Sequence, residues 1–320
     1  MEHRAEKLSF VNKLLNKETL KKIFPFAGLI FVIVFFQVMS NGRLLARASI
    51  NAIISSVFFI MTGAVGFVFL LTQGNLEFSI GGNMAVSCVA AAWAAMINPW
   101  LAIPAAIATG LLIGFVNGIM HVVLKIDAFI ATVAMRFILL GLVVIVLDYG
   151  VMAAPLSMLD WNNNTNKLIV MILVVSIGYI IYEFTTFGKQ NKAVGSNAEA
   201  ARQSGIKVNL IKFIPFLIVG GICGLLGFFN LVRTGAATNQ TGSSFFLDVL
   251  NAVLLGGMPL SGGAGSKYRA VIIGSLTSSI LTVGMTMLGV DTFTRQFVNG
   301  VVFLVIVSLS FDRRGMPIIK

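Results

Sequence analysis

The sequence predicts an all-α protein, a polytopic transmembrane helical bundle of about ten helices with both termini in the cytoplasm. Three observations carry that prediction. Of 320 residues, 57% are hydrophobic and only 11% charged, with a mean hydropathy of +0.94, whereas soluble domains average about 25% charged residues. Apolar segments near twenty residues recur along the chain, the length that crosses a hydrocarbon core of about 30 Å. Lys and Arg gather in the connections between those segments, the positive-inside pattern. An outer-membrane barrel would show alternating segments of about ten residues instead.

The elements follow in order. Residues 1–22 form a basic cytoplasmic tail holding Arg4, Lys7, Lys13, Lys17, Lys21 and Lys22. The transmembrane domain is expected over 23–312, and 313–320 form a cytoplasmic C-terminal tail. The first apolar run, 23–39, is followed by Ala46-Arg47-Ala48, which resembles a signal-peptidase site. The run exceeds the usual h-region of about 7–15 residues, so it reads as an uncleaved first span. Further spans fall at 47–71, 78–98, 99–124, 128–147, 167–184, 209–233, 244–257, 268–288 and 293–311. Of these, 78–98 and 244–257 are short or interrupted by glycine, and are candidates for broken or re-entrant segments. Irregular backbone survives at membrane depth only where protein or a wet cavity covers it, so a pathway is expected beside them.

Ten crossings from a cytoplasmic N-terminus place seventeen of the 23 Lys and Arg inside: six in the tail, Lys125, five across 185–212, Lys267 and Arg269, and three at the C-terminus. Arg43, Arg47, Lys167, Arg233 and Arg295 fall outside, and Arg136 lies within a span. The net charge of +11 is therefore a topology signal, and no nucleic-acid partner is expected. Cys88 and Cys223 lie in apolar spans without metal-ligand spacing and read as small buried hydrophobes. Gly110, Gly114 and Gly118 repeat at intervals of four, and glycines cluster again from Gly220 to Gly227, which lets neighbouring helix backbones approach closely.

Residues 193–206, AVGSNAEAARQSGI, are a polar helix signal between two apolar stretches. Ser196 and Glu199 fit the S-x-x-E capping box, and Gly205 suits a left-handed C-terminal stop. A helix of barely two turns is unstable alone in water and needs a docking surface. Ala198, Ala200 and Ala201 keep it thin enough to sit in a groove, while Arg202 and Gln203 supply polar contacts. The same pattern also fits an ordinary capped loop helix.

This segment resembles the cytoplasmic coupling segment of bacterial ABC importer permeases of the ribose/monosaccharide type, roughly A-x-G-x-N-x-x-A-A-x-x-S-G-I, through Gly195, Asn197, Ala200, Ala201, Ser204, Gly205 and Ile206. Two further stretches match in the family's order, and a third also fits. QGNLEFSIGGNMAVS (73–87) is similar to its G-G-I-D-L-S-V-G-S, with Asn75 and Glu77 replacing Ile and Asp. VLNAVLLGGMPLSGGAG (249–265) is similar to A-x-V-L-G-G-T-S-L-x-G-G-x-G, with Met258-Pro259 for Thr-Ser. GFVNGIMHVVLKIDAFIATVAM (114–135) carries Asp127 where Pro is usual. The resemblance covers about residues 45–312.

The resemblance implies a transport subunit of the bacterial inner membrane, not an enzyme, with its coupling helix at about 196–205. The ATPase-coupling residues it implies are Gly195, Ser196, Asn197, Glu199, Ala200, Ala201, Arg202 and Gly205. The chain has no G-x-x-x-x-G-K-[ST] loop to cradle phosphates, since Ser266 separates Gly265 from Lys267. No cofactor is expected on this chain, and ATP and Mg belong to a partner ATPase. The other implied partners are an extracytoplasmic solute-binding protein and a second permease copy, identical or related, with lipid around the spans.

Intramembrane polar residues are costly and often functional. The pathway candidates are Asn51, Asn75, Glu77, Asn83, Asn117, Asn251 and Asn299, although each Asn also suits an interhelical hydrogen bond. Glu77 follows the turn-like Gly74-Asn75 and also suits a cap for a helix starting near Phe78. Arg136 is placed to pair with Glu77 or Asp127, and His121 reads as a packed or interfacial side chain. An ion-coupled secondary transporter of a small polar solute is the alternative function. It would want carboxylates or His within several spans, and most of the acids here fall at span ends. A channel would leave the coupling-like helix without a purpose. The low polarity of the spans favours a neutral ligand, because a charged one would want fixed counter-charge, and the resemblance implies a monosaccharide first of all.

Overall fold

The computed structural model describes residues 17–310 and is a helical bundle. The helices are α1 (Lys17–Met39), α2 (Arg47–Thr72), α3 (Ile80–Ile97), α4 (Ala102–Val122), α5 (Ala128–Leu147), α6 (Asn164–Tyr179), α7 (Thr186–Ser196), α8 (Ala198–Gln203), α9 (Val208–Thr234), α10 (Phe245–Leu255), α11 (Arg269–Met287) and α12 (Thr292–Ser310). A π-helical turn, Ile180–Phe184, prolongs α6. Of the two expected tails, 1–16 and 313–320 lie outside the described residues, whereas 17–22 already belong to α1.

Polarity is inverted relative to a water-soluble bundle. Large apolar side chains such as Phe137, Ile138 and Ile145 of α5 point outward, while Glu77, Asn83, Asn117, Asn251 and Asn299 are buried. In lipid the solvent is as apolar as Leu, so helix association rests on close packing and interhelical hydrogen bonds. Helix α2 is the core post: every residue from Val57 to Thr72 is buried. A helix apolar all round its circumference belongs at the centre.

Glycine sets the tightest contact, between α4 and α9. A Cβ on Gly110 would lie 2.6 Å from the backbone nitrogen of Gly224 and closer still to the carbonyl of Gly220. A Cβ on Gly224 would lie 2.7 Å from the Cα of Ile107. The four-residue spacing read from the sequence is thus a backbone-to-backbone seam, extended by Gly114 against Gly220.

Span positions agree with the sequence reading to within a few residues, with three qualifications. Seven helices among the described residues are long and apolar enough to cross a membrane; the expected count of ten is not reached on that basis. Helix α3 is continuous over 18 residues instead of broken. Helix α10 has only 11 residues, which at 1.5 Å per residue reach about 16 Å, half of a hydrocarbon core. The chain enters α10 through an irregular segment that lies deep in the bundle: the Ser243 carbonyl accepts from Arg136 Nη2 at 3.5 Å, midway along α5. Gly242 packs on Gly81 so closely that a Cβ on either would overlap the other's carbonyl. A two-residue antiparallel pair, β1 (Met152–Ala153) with β2 (Ala236–Ala237), ties this connection to the α5–α6 loop.

Candidate coupling and translocation sites

The segment proposed to couple lies on a junction built around the C-terminal turn of α2. The last carbonyls of a helix have no partner within it, and here other elements supply them. Asn191 Nδ2 of α7 donates to the Phe69 carbonyl at 2.9 Å, and the Gly263 N–H donates to the Thr72 carbonyl at 2.7 Å. Gln73 Nε2 then donates to Asn191 Oδ1 at 2.6 Å and to the Ile211 carbonyl at 2.7 Å. The Thr72 hydroxyl sits 2.7 Å from that of Tyr182. The ends of α2, α6 and α7, the start of α9 and the 257–268 loop therefore share one polar knot.

Gly195 fits this knot by lacking a side chain, since a Cβ there would overlap the Thr72 carbonyl oxygen. Ser196 is the last residue of α7, and its hydroxyl donates to the Lys192 carbonyl and accepts from the Ala264 N–H, both at 2.9 Å. The capping box predicted on Ser196 and Glu199 is therefore corrected. Asn197 caps α8, its Oδ1 accepting from the N–H groups of Glu199 and Ala200 at 3.0 Å. Asn and Ser are comparable caps, and Ser196 is already engaged by the loop. Glu199 instead pairs with Arg202 at 3.2 Å on the surface, a contact that contributes little to stability.

Helix α8 is held by Ala201, which is buried with Val194, Val208 and Ile211. Asn197, Glu199, Ala200, Arg202 and Gly205 are exposed. Gly205 has φ +81°, and Ile206 N–H reaches back to the Ala201 carbonyl at 3.1 Å, the left-handed stop expected there. The result is a short polar ledge with one seated face and one free face. Lys192 and Glu183 pair at 2.6 Å beneath it, and Glu183 also accepts from Tyr268 N–H.

The seven polar pathway candidates separate into groups. Glu77 is buried, and its Oε1 accepts from Ser79 N–H at 3.0 Å, from the Ser79 hydroxyl, and from Asn117 Nδ2 at 3.3 Å. It stands three residues before α3, whose N-cap position is Ser79 and carries no side-chain cap bond. Asn117 also donates to Ser79 Oγ at 2.8 Å. Asn75 contacts His121 Nε2 at 3.4 Å, and His121 Nδ1 meets the Ile126 carbonyl at 3.0 Å. Asn83 joins α3 to α4 through the Gly110 carbonyl at 3.2 Å. Asn251 donates to the Asn299 carbonyl at 3.1 Å, and Asn299 donates to Asp248 at 2.9 Å. Asn51 is exposed at the start of α2, where it accepts from Asn164. Arg136 makes neither predicted ion pair and holds the Ser243 carbonyl instead. Asp127 is engaged in capping α5.

Removing one partner from the Glu77 cluster should be costly. Asn117→Leu leaves Glu77 with Ser79 alone and is expected to destabilise the protein by about 1–3 kcal/mol. Chemical unfolding in detergent measures this, and a midpoint equal to wild type would show that the bond contributes nothing.

A separate cavity of about 340 Å³ is bounded by α2, α3, α9, the 238–244 segment, α10, α11 and α12. None of the seven candidates lines it; Asn230, Arg233, Asp248, Thr282 and Arg295 do. Arg233, Asp248 and Arg295 read in the sequence only as charges near span ends, and Asn230 and Thr282 gave no signal there. Gln73 and Asn191 were equally silent, since the partners lie 118 residues apart.

The family profile described as branched-chain amino acid transport system / permease component matches residues 49–307. The chain is 29% identical over 317 residues to the ribose import permease protein RbsC of Bacillus subtilis, covering 92% of this chain and 94% of that protein. It is 31% identical over 310 residues to the fructose import permease protein FruF of Bifidobacterium longum, covering 88% and 86%. It is 27% identical over 303 residues to the galactose/methyl galactoside import permease protein MglC of Salmonella typhimurium, covering 86% and 87%. No solved structure matches. The profile spans most of the chain, its expected coupling segment and its spans alike, so this protein belongs to the family of transport-system permease components and is a membrane transport subunit, not an enzyme.

Proposed function

We propose that this chain is the permease subunit of an ATP-driven ABC importer that brings a neutral monosaccharide across the bacterial inner membrane. The observation that supports it best is near full-length similarity to import permeases named for ribose, fructose and galactose. In this reading ten segments lie in the membrane with both termini cytoplasmic, and the ledge of α7 and α8 faces the cytosol. ATP and Mg are held by a partner ATPase, an extracytoplasmic binding protein delivers solute, and two permease copies form the membrane unit. Gly195, Ser196, Asn197, Glu199, Ala200, Ala201, Arg202 and Gly205 form the ATPase-facing segment. Closure of the ATPase pushes a ledge whose roots reach α2, α6 and α9 at once, so one displacement reaches three spans. A rigid element of this kind transmits motion only when tightly seated.

The test is uptake in proteoliposomes holding the permease, its ATPase and its binding protein. Uptake of ribose, fructose or galactose is expected to require ATP on the ATPase side and to persist when an ionophore collapses ion gradients. Uptake that follows the ion gradient and ignores ATP would establish the secondary-transporter reading instead.

A further inference from the structure

We propose that the 340 Å³ cavity between α2, α9, α10 and α12 of each protomer is a holding site for a neutral polyhydroxylated solute of monosaccharide size. This rests on the sugar-import reading above and assigns that solute a place within a single copy of the chain.

The volume lies within the range of about 300–1,000 Å³ typical of small-molecule sites. The lining is two-sided. Ile60, Met84 and Phe245 are buried and form an apolar floor, while Arg233 and Gln240 are exposed at the rim. A sugar ring has the matching duality, with C–H faces and hydroxyl edges.

The charged groups stand around the space without closing into an ion pair. Asp248 is held in place by Ser244 Oγ at 3.1 Å and Asn299 Nδ2 at 2.9 Å. The Arg233 guanidinium lies over the Phe59 ring at 4.4 Å and donates to Asn230 Oδ1 at 3.2 Å. Arg295 completes the wall. The ion pairs among the described residues are Lys192–Glu183 and Arg202–Glu199, so neither arginine is paired with Asp248. A hydroxyl both donates and accepts, and a polyol in the gap would give to the carboxylate while receiving from the guanidiniums. The irregular 240–244 backbone, which lines the space, fits the same role, because non-helical chain at membrane depth is tolerated where it lines a cavity.

The test uses the complete importer in proteoliposomes. Ser243→Cys, on the cavity lining, is made with Cys88→Ala and Cys223→Ala and labelled with a membrane-impermeant thiosulfonate. Ribose, fructose, galactose and xylose are the probes, with leucine as a solute lacking hydroxyls. The sugar that the wild-type complex carries is expected, at saturation, to slow labelling about fivefold or more. Asp248→Asn is expected to abolish that protection and lower uptake about tenfold, the loss of one charge-assisted hydrogen bond. Asp248→Asn must still co-purify with the ATPase in normal yield, which separates a lost contact from a lost fold. Labelling indifferent to the carried sugar, or normal uptake and protection in Asp248→Asn, overturns the site. Should the wild-type complex carry leucine and none of the sugars, the sugar reading fails and the polyol assignment with it. Should it carry a sugar that gives no protection, the reading survives and the cavity is not the site.

Discussion

Replacing Gly195 with Val is expected to lower solute uptake per ATP hydrolysed by about ten- to a hundredfold, the equivalent of roughly 1–3 kcal/mol, while the variant still assembles with its ATPase. The Thr72 carbonyl occupies the space where any Cβ at 195 would sit, and that carbonyl also takes the Gly263 N–H at 2.7 Å. The obstacle is backbone, which yields less readily than a side chain. Helix α7 must therefore shift off α2, weakening two contacts together: the Asn191 bond to the Phe69 carbonyl and the Ala264 N–H bond to Ser196 Oγ, both 2.9 Å. Gly289, in the turn between α11 and α12, supplies the contrast. It has open space around it and φ +77°, so Gly289→Ala strains only its own backbone, by about 1 kcal/mol, and should leave coupling near normal. The measurement is the ratio of uptake to ATP turnover in proteoliposomes. A Gly195→Val variant with the wild-type ratio would show that the seat on Thr72 plays no part in coupling.

The two halves of this junction were unequally legible in the sequence. The motif 193–206 identified the ledge, because Asn197, Ala201 and Gly205 act locally: a cap, a buried small residue and a left-handed stop. The seat was not legible, because Gln73, Asn191 and Gly263 meet only after α2, α7 and the 257–268 loop come together. The same distinction explains the misplaced cap. Ser196 and Asn197 are adjacent and equally able to cap, and the choice fell to Ala264, 68 residues away, which occupies the Ser196 hydroxyl. Among the intramembrane polar residues, hydropathy identified which were unusual but not what they touch. Asp248 and Arg295 read as ordinary charges near span ends, yet they line one cavity once α10 and α12 come together.

Gly110→Val is expected to cost stability through packing alone, with no contact to the coupling ledge. The added side chain would meet the Gly220 carbonyl and the Gly224 backbone nitrogen, the latter at 2.6 Å from its Cβ. Neither is the movable end of a side chain, so α4 and α9 must separate along the seam that also seats Gly114 and Gly220. Without a hydrophobic drive between helices in lipid, that close approach is itself the source of association, and separation forfeits many small contacts at once. The Asn83 bond to the Gly110 carbonyl, 3.2 Å long, would be disturbed by the same movement. A loss of about 3 kcal/mol or more follows, at the upper end of overpacking effects. Gly141 of α5 is the control, since a Cβ there meets nothing within 4 Å and Gly141→Val should cost far less. Thermal denaturation in detergent compares the two, and equal midpoints would mean that the α4–α9 seam is not what holds these helices together.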